Sequence, residues 1–509
     1  MMDKFFRTNS SILVERLDPN FYQPSLVEND KLIKSKGWVE LQSLYNASGI
    51  GNTSAVERYY SDAADSIPYI SGKVIKSFNI DLDGCQRISL DSHKNELTKS
   101  TVRPTDVLVI RKGDMGNACV VPSEVNEANC SSEVIYLKMK ASSDPYYLVS
   151  YLNCKQGQKA FKRLGRGTII PGVSLLDVPR LPILKVSEFV QKYIGDKVRQ
   201  AEQLRAWAKR LEQGSSLMFA NALTELGYKE KKSNKIVRKK LEDRLDPAFY
   251  DEKFSLFDEP WFQFNSQPLK QFIESGSYGV LPSSNSYGKG DIRFIRATDL
   301  KNANIDPSCF TFVPEEEVAD KAKVSEGDIL MEVKGAISTC ELANTHLAGT
   351  YVNGSIFRFT PKSINSSYLV YFLSSTIKEL YCERVSVNNI ISYLDLASLH
   401  ALPIIRLRND IEEFLAKNLI NINQAKKNTF ALTRSAKTLV EALIEGQLTE
   451  QQLIQAQQAL EDGDNSLDQA ILSKLSAEGY AIEGATPLFS DVDELYSLLE
   501  EAAQAEAEE

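Results

Sequence analysis

A repeated heptad pattern constrains this chain more than any other feature. Between Glu188 and Leu223 apolar or small residues recur at alternating steps of four and three: Val190, Ile194, Ala201, Leu204, Ala208, Leu211, Met218 and Ala222. A 3.5-residue period belongs to a helix whose apolar seam faces another helix. The seam returns as Ile411, Leu415, Ile422, Ala425, Leu432, Ala436, Leu439 and Leu443, each 221 positions after its counterpart where the two series align. Even the polar interruption repeats, because Lys197 and Asn418 hold the same slot. The chain is therefore read as a duplication in which each helix is the other's partner. Each helix follows its own globular domain, so the two are expected to lie antiparallel.

Other matched segments extend the duplication. Arg16-Leu17-Asp18-Pro19-Asn20-Phe21-Tyr22 recurs as Arg244-Leu245-Asp246-Pro247-Ala248-Phe249-Tyr250, six identities in seven. Asp-Pro punctuates the backbone, and Phe-Tyr supplies an apolar anchor with a polar rim, which suits a segment packing the start of each domain. Short β-branched runs follow in one order. Ile67–Ile70 parallels Ile292–Ile295, and Asn79-Ile80-Asp81 parallels Asn304-Ile305-Asp306. Asp106–Val109 parallels Asp328–Met331, each running on to Lys-Gly, and Val134–Leu137 parallels Ser355–Arg358. A helix is expected at Tyr147-Leu148-Val149 and at Tyr368-Leu369-Val370, then Ser-x-Leu-Asp (Ser174–Asp177, Ser392–Asp395) and Leu-Pro-Ile (Leu181–Ile183, Leu402–Ile404). The pattern predicts an α+β fold: two repeated domains of mixed sheet and helix, joined by two long antiparallel coiled-coil helices.

Charge is unevenly distributed. The 509 residues carry −9 overall, but 447–509 hold fifteen acidic residues against Lys474 alone. That stretch contributes −14 and leaves +5 on the rest, a mildly basic body that suits a nucleic-acid partner. The acidic C-terminal tail has no counterpart in the first half. Gln451–Leu460, Ser466–Leu475 and Val492–Ala503 carry helical patterns in it, and a helical or disordered extension is expected. Seven cysteines without a CxxC pair are read as free thiols of a reducing, cytoplasmic compartment. Three scattered histidines argue against a zinc site. No run of eighteen apolar residues occurs, and the first residues lack the apolar core of a signal peptide.

Catalytic patterns are weak. Asp328, Glu332 and Lys334 resemble the D…ExK metal site of restriction-type nucleases, yet the Asp-to-Glu gap is short and Ile110 stands at the matched acidic position. Asp144-Pro145-Tyr146-Tyr147 resembles an amino-methyltransferase motif without its second proline, and no glycine-rich cofactor loop precedes it. No phosphate-binding P-loop occurs. Binding is the better reading, since DNA contacts need Lys and Arg for phosphates and Arg, Asn, Gln, Ser or Thr for base edges. In the first half the candidates are Arg111, Lys112, Lys162, Arg163, Arg166 and Thr168. In the second they are Tyr287, Lys289, Arg293, Arg296, Lys301, Lys334, Arg384, Asn388 and Asn389. Glycines beside several of these cations let a loop approach a backbone closely.

Over about residues 11–446 the chain resembles the specificity (S) subunits of type I restriction-modification systems. The resemblance rests on the duplicated Arg-Leu-Asp-Pro-x-Phe-Tyr openings, the Gly327-Asp328-Ile329-Leu330 strand, the Leu-Pro-Ile exits and the two seam helices. It implies target-recognition domains at 1–185 and 229–406, spacer helices at 186–228 and 407–446, and an added extension at 447–509. It implies a non-catalytic subunit that reads a bipartite, asymmetric double-stranded DNA site, each domain taking one half. The implied partners are two methyltransferase subunits carrying S-adenosylmethionine, and restriction motor-nuclease subunits using ATP and Mg. This chain would hold no cofactor or metal itself. The alternative is a DNA-binding adaptor, or an inhibitor whose acidic tail mimics DNA.

Overall fold

The computed structural model describes residues 13, 16, 18–52, 55–167, 171–229, 247–300, 310–335, 337, 339–386 and 392–508. These form two compact units: Met1–Leu204 with Asn428–Glu509 (unit 1), and Arg205–Lys427 (unit 2). The two long helices, Glu188–Leu226 and Asn409–Glu445, each contribute one half to each unit.

Both units contain an antiparallel four-stranded sheet with the same strand order. In unit 1 the order is Tyr45–Ile50, Val134–Met139, Val107–Ile110, Ala118–Val120, all antiparallel. In unit 2 it is Ile273–Tyr278, Ile356–Pro361, Ile329–Glu332, Cys340–Leu342. The register is shared too. Leu137 faces Val107 in unit 1, and Phe359 faces Ile329 in unit 2, each partner moved by 222 positions. The central strands are fully buried and, apart from Glu332 at the end of the second, apolar on both faces, as expected of a strand covered on two sides. A smaller sheet lies beside each: Gln86–Ile88, Ile67–Ile70, Ala128–Cys130 and Thr101–Val102 in unit 1, and Thr311–Val313, Ile292–Ile295 and Tyr351–Val352 in unit 2. Asn79–Ile80 is a strand; its counterpart at 304–305 lies outside the described residues.

Helix starts repeat as well. Asp144 caps Pro145–Asn153, its Oδ1 accepting from the Tyr146 and Tyr147 amides at 2.8 and 3.1 Å. Asn365, 221 positions on, caps Ser366–Leu373 through Ser367 and Tyr368 at 2.9 and 3.1 Å. Short polar side chains at this position satisfy amides that the first turn leaves without partners. The Leu-Pro-Ile exits are strands: Pro182–Leu184 pairs antiparallel with Trp38–Glu40, and Pro403–Ile405 with Ser266–Pro268. Tyr147 and Tyr368 clamp these exits, donating to the carbonyls of Leu184 and Ile405 at 2.8 and 2.7 Å.

One matched motif does not correspond. Val173 donates to the Arg111 carbonyl and Leu394 to the Val333 carbonyl, at 3.0 and 2.9 Å; the donors are 221 positions apart and the acceptors 222. This pairs Val173, not Leu176, with Leu394. The two Ser-x-Leu-Asp stretches are thus three positions out of step: Asp395 caps the helix Leu396–Ala401, whereas Asp177 binds Arg166.

The seam helices run antiparallel within each unit. In unit 1 Thr429 Oγ1 donates to the Ala201 carbonyl at 3.3 Å, and Ser187 lies against Glu450. In unit 2 Asn418 donates to Ser215 at 3.0 Å and Lys426 meets Glu212 at 2.6 Å. The seam residues are buried with two exceptions: Leu211 is half-buried, and Met218 is exposed, with Phe219 buried in its place against Tyr371 and Phe372 at ring-centroid distances of 5.6 and 6.2 Å. Near its end the helix trades the helix–helix seam for the aromatic core of unit 2. Both helices stop at a left-handed glycine, Gly227 (φ 114°) and Gly446 (φ 79°), a conformation that favours glycine.

The acidic extension is helical. Glu450–Glu461 starts with a capping box between Thr449 and Gln452, and Ser466–Leu472 and Val492–Ala507 follow. It folds onto unit 1. Asp468, fully buried, receives Lys197 Nζ at 2.7 and 2.8 Å together with the hydroxyls of Tyr193 and Tyr496. Lys197, the polar residue in the seam, is thus neutralised from outside the seam. No helix among the described residues is long and apolar enough to cross a membrane.

Candidate nucleic-acid interface

In each unit the central strand runs into a Lys-Gly turn, and that turn is stitched to the segment before the exit strand. In unit 1 Gly113 (φ 81°) reverses the chain. Lys112 bridges to Gly172, and Gly172 in turn pairs with Arg166 across the ribbon Gly165–Arg166/Gly172–Val173. A Cβ on Gly172 would meet Lys112 Cγ at 3.3 Å, so glycine lets the two backbones approach. Three expected cations separated in sequence are thereby drawn together: Arg111 and Lys112 with Arg166. Unit 2 repeats the stitch, with Lys334 bridging to Tyr393 and Gly335 donating to the Ser392 carbonyl at 3.0 Å.

Alternation along the strand divides the work of neighbouring cations. Arg111 is half-buried and holds the ribbon: Nε donates to the Val173 carbonyl at 3.0 Å and Nη1 to the Ser132 carbonyl at 3.2 Å. Lys112 is exposed. Lys162 is exposed too, whereas Arg163 next to it turns inward. Its guanidinium lies 4.1 Å from the Phe21 ring centroid, 3.1 Å from Asp30, and donates to the Phe21 carbonyl at 2.9 Å. Arg384, 221 positions on, does the same: it lies 4.5 Å from the Phe249 centroid and 3.0 Å from Asp258. The repeated Phe-Tyr openings are the seats of these two arginines, their rings edge-to-face at 5.2 and 5.1 Å.

The opening also fixes the basic loop of unit 1. Arg16 grips Asp18 at 2.9 Å and donates to the carbonyls of Leu164 and Gly165 at 3.2 and 3.3 Å. Asn20 holds the Lys162 carbonyl at 3.1 Å. The guanidinium of Arg16, by hydrogen bond and charge, holds the Asp18 carboxyl below its ordinary range. Arg166 is exposed but forks onto Asp177, both contacts 2.8 Å. Of the corresponding segment of unit 2, residues 244–246 lie outside the described residues, as do the candidates Thr168, Lys301, Asn388 and Asn389.

Unit 2 has a second basic group on its smaller sheet. Lys289 sits between Gly288 (φ 79°) and Gly290 (φ 85°), and a Cβ on Gly290 would meet the Pro314 nitrogen at 2.6 Å. Tyr287 stacks edge-on to Phe294 at 6.0 Å and accepts from Asn353 at 3.3 Å. Arg293 is exposed and reaches the carbonyls of His346 and Ala348 at 3.3 and 3.4 Å. Arg296 forks onto Asp299 at 3.0 and 3.2 Å. Burial, with the charges of Lys427 and Arg293, lowers the His346 pKa.

Among the described residues, Lys112, Lys162, Lys289 and Lys334 are exposed and in no ion pair, which leaves their charge available to phosphates. The candidates absent from the sequence reading include Tyr393, which stands half-exposed beside Lys334; the 221 offset, placing it at the slot of Gly172, was its only signal.

The aspartates of the enzyme-like motifs serve the fold. Asp328 is buried and accepts from Arg358 and Thr360, each at 2.7 Å, and from the Ser325 amide at 2.8 Å. Asp106, its counterpart, likewise binds Lys138 at 2.7 Å. Asp144 is the helix cap described above and pairs with Arg199 at 2.8 Å. Among the described residues no group of three or more metal-ligating side chains occurs.

No protein-family model matches the chain, and no curated relative does. Among solved structures it is similar to a type I restriction-modification system S subunit from M. genitalium, at 15% identity and a TM-score of 0.43, over 80% of this chain and 95% of that chain. It is similar also to the HsdS subunit from Thermoanaerobacter tengcongensis, at 15% identity and a TM-score of 0.25, over 84% and 96% of the two chains. A chain from a structure of type I R-M complex assembly and conformational transition matches at 16% identity and a TM-score of 0.28, over 82% and 96%.

Proposed function

We propose that this chain is a non-catalytic, sequence-specific DNA-recognition subunit, the specificity subunit of a type I restriction-modification complex. The observation that carries the proposal is the loop stitch in duplicate. Two units with one sheet order each present an exposed lysine, Lys112 and Lys334, on the same turn, and each turn is joined at the same register to a loop of different sequence. A constant frame with a constant cation suits phosphate anchoring, and the differing loops suit the reading of different base sequences. Two unlike readers in one chain favour a bipartite, asymmetric site. The aspartates of the two enzyme-like motifs are taken up by internal hydrogen bonds, so methylation and cleavage are assigned to partners in the cytoplasm. These are methyltransferase subunits holding S-adenosylmethionine and a motor-nuclease using ATP and Mg.

Single-molecule sequencing of methylated DNA tests the reading. Host DNA should carry a bipartite adenine-methylation pattern that disappears when this chain is deleted; an unchanged pattern in the deletion strain ends the proposal. Lys112→Ala and Lys334→Ala should each weaken binding across all sequences and lower the salt slope by about one.

A further inference from the structure

In unit 1 the segment between the ribbon and the exit strand leaves one side chain bare. Residues 172–178 are buried or half-buried except Leu176, which is 86% exposed. The leucine stands in a turn: the Asp177 amide donates to the Ser174 carbonyl at 3.1 Å, and the Leu176 amide to Ser174 Oγ at 3.3 Å. Before the turn, Val173 is bound to the Arg111 carbonyl; after it, Val178–Arg180 makes a helical turn into Pro182–Leu184. Asp177 is gripped by Arg166 at 2.8 Å and lies 3.5 Å from Arg16. Single exposed apolar side chains are common on protein surfaces. This one is held out, because folding it down would break the hydrogen bonds of the turn and the ion pairs on Asp177.

The setting selects what the leucine meets. Its turn continues the ribbon that brings Lys112 and Arg166 together, so it lies beside the charge suited to a phosphate backbone. Arg166 and Asp177 occupy each other. One thereby lacks the free fork that binds guanine, and the other the free oxygens that accept from cytosine. What the turn offers is an aliphatic tip without donor or acceptor. On base-pair edges its complement is the C5 methyl of thymine, which projects into the major groove.

Unit 2 has no equivalent. After Leu394, the match of Val173, Asp395 caps the helix Leu396–Ala401 where unit 1 makes its turn. The position 221 places after Leu176 is Ala397.

Resting on the function proposed above, we infer that Leu176 is a specificity-determining residue of unit 1, reading a thymine in one half-site through its C5 methyl.

Selection from random duplex DNA, with the full chain and the methyltransferase that co-purifies with it, gives the half-sites. Leu176→Ala should lose the preference for T·A at one position of one half-site and leave the other half unchanged. Deoxyuridine in place of that thymine removes only the methyl. It should weaken wild-type binding about fourfold, the worth of one buried methyl, and leave Leu176→Ala unaffected. Leu176→Met should keep the preference.

The inference is overturned if Leu176→Ala selects the wild-type sequences, or if the relaxed position is not a thymine. Equal wild-type binding to thymine and deoxyuridine at that position overturns it too. So does a uniform weakening of Leu176→Ala across all sequences, which would mark a wedge between base steps. Amide exchange at Val107–Ile110 should match wild type in each variant; should Leu176→Ala disturb it, Leu176→Asn, which keeps a turn-forming residue, takes its place. If no duplex is enriched, the functional reading fails and the inference falls with it. An enriched bipartite site with any of the overturning outcomes sinks the inference alone.

Discussion

Lys197 in unit 1 and Asn418 in unit 2 occupy one slot of one repeated helix, yet they are satisfied in opposite ways. Lys197 is met from outside the seam by a carboxylate and lies beside two tyrosine hydroxyls that share it. Asn418 is met from inside by Ser215 of the partner helix. A polar residue in a seam sets register at a cost in stability. The cost is small for an amide with a local partner and large for a buried ion whose partner lies 271 positions away. The comparison teaches that the repeated frame tolerates either solution, provided that whatever covers the slot supplies the complementary group.

The widest gap between the units should appear on removing the buried cation. Lys197→Met leaves Asp468 unpaired and should cost about 3–5 kcal/mol, read as early loss of extension amide protection in urea. Lys197→Met with Asp468→Leu should recover most of it. Asn418→Ala should cost only about 1–3 kcal/mol, the penalty of the Ser215 hydroxyl left without its partner. Equal losses at the two sites would break the comparison.

The matched arginines should behave alike. Arg163→Ala and Arg384→Ala each remove a ring contact and charged hydrogen bonds, and should each cost about 2 kcal/mol in chemical denaturation. Neither should change the salt slope of DNA binding. Lys162→Ala, beside Arg163, should do the reverse: a lower slope, with stability within about 0.5 kcal/mol of wild type.

A subtler asymmetry is set by pH. Glu341 faces Leu330 in unit 2 at the slot where Cys119 faces Leu108 in unit 1. Burial raises the Glu341 pKa to about 8. The folded state then favours the protonated acid. Its contribution is complete below the ordinary carboxylate range and is lost as pH rises towards about 8. Amide protection at Ile329–Glu332 should therefore weaken over that window while protection at Val107–Ile110 does not follow it, and Glu341→Gln should flatten the difference. Asp468 has the opposite sign. Its desolvation is outweighed by Lys197 and the tyrosine hydroxyls, so its pKa is lowered; the extension should stay docked at mildly acidic pH and detach only below the ordinary carboxylate range.

Periodic and local features were legible in the sequence. Both seams, the matched strands Val107–Ile110 and Ile329–Glu332, and the helices after Asp144 and Asn365 follow from alternation, heptads and matched segments. Features set by distant partners were not. Arg163, Arg166, Arg296 and Arg384 look like free cations in sequence, but each has a carboxylate partner supplied by the fold. The exchange of Met218 for Phe219 depends on an aromatic core formed by residues about 150 positions later. The Ser-x-Leu-Asp match was a coincidence of letters that only the hydrogen-bonded register could expose. Docking of the extension was invisible for the same reason, since nothing near Asp468 indicates a lysine in the seam.

The short ribbons Trp38–Glu40 with Pro182–Leu184 and Ser266–Pro268 with Pro403–Ile405 have a further consequence. Each brings the strand that leads into the four-stranded sheet and the strand that leads into the long helix side by side. Loops between the two paired strands can therefore lengthen or shorten without shifting the heptad phase of the helix that follows, as long as the seats of Arg163 and Arg384 on the opening segments are kept.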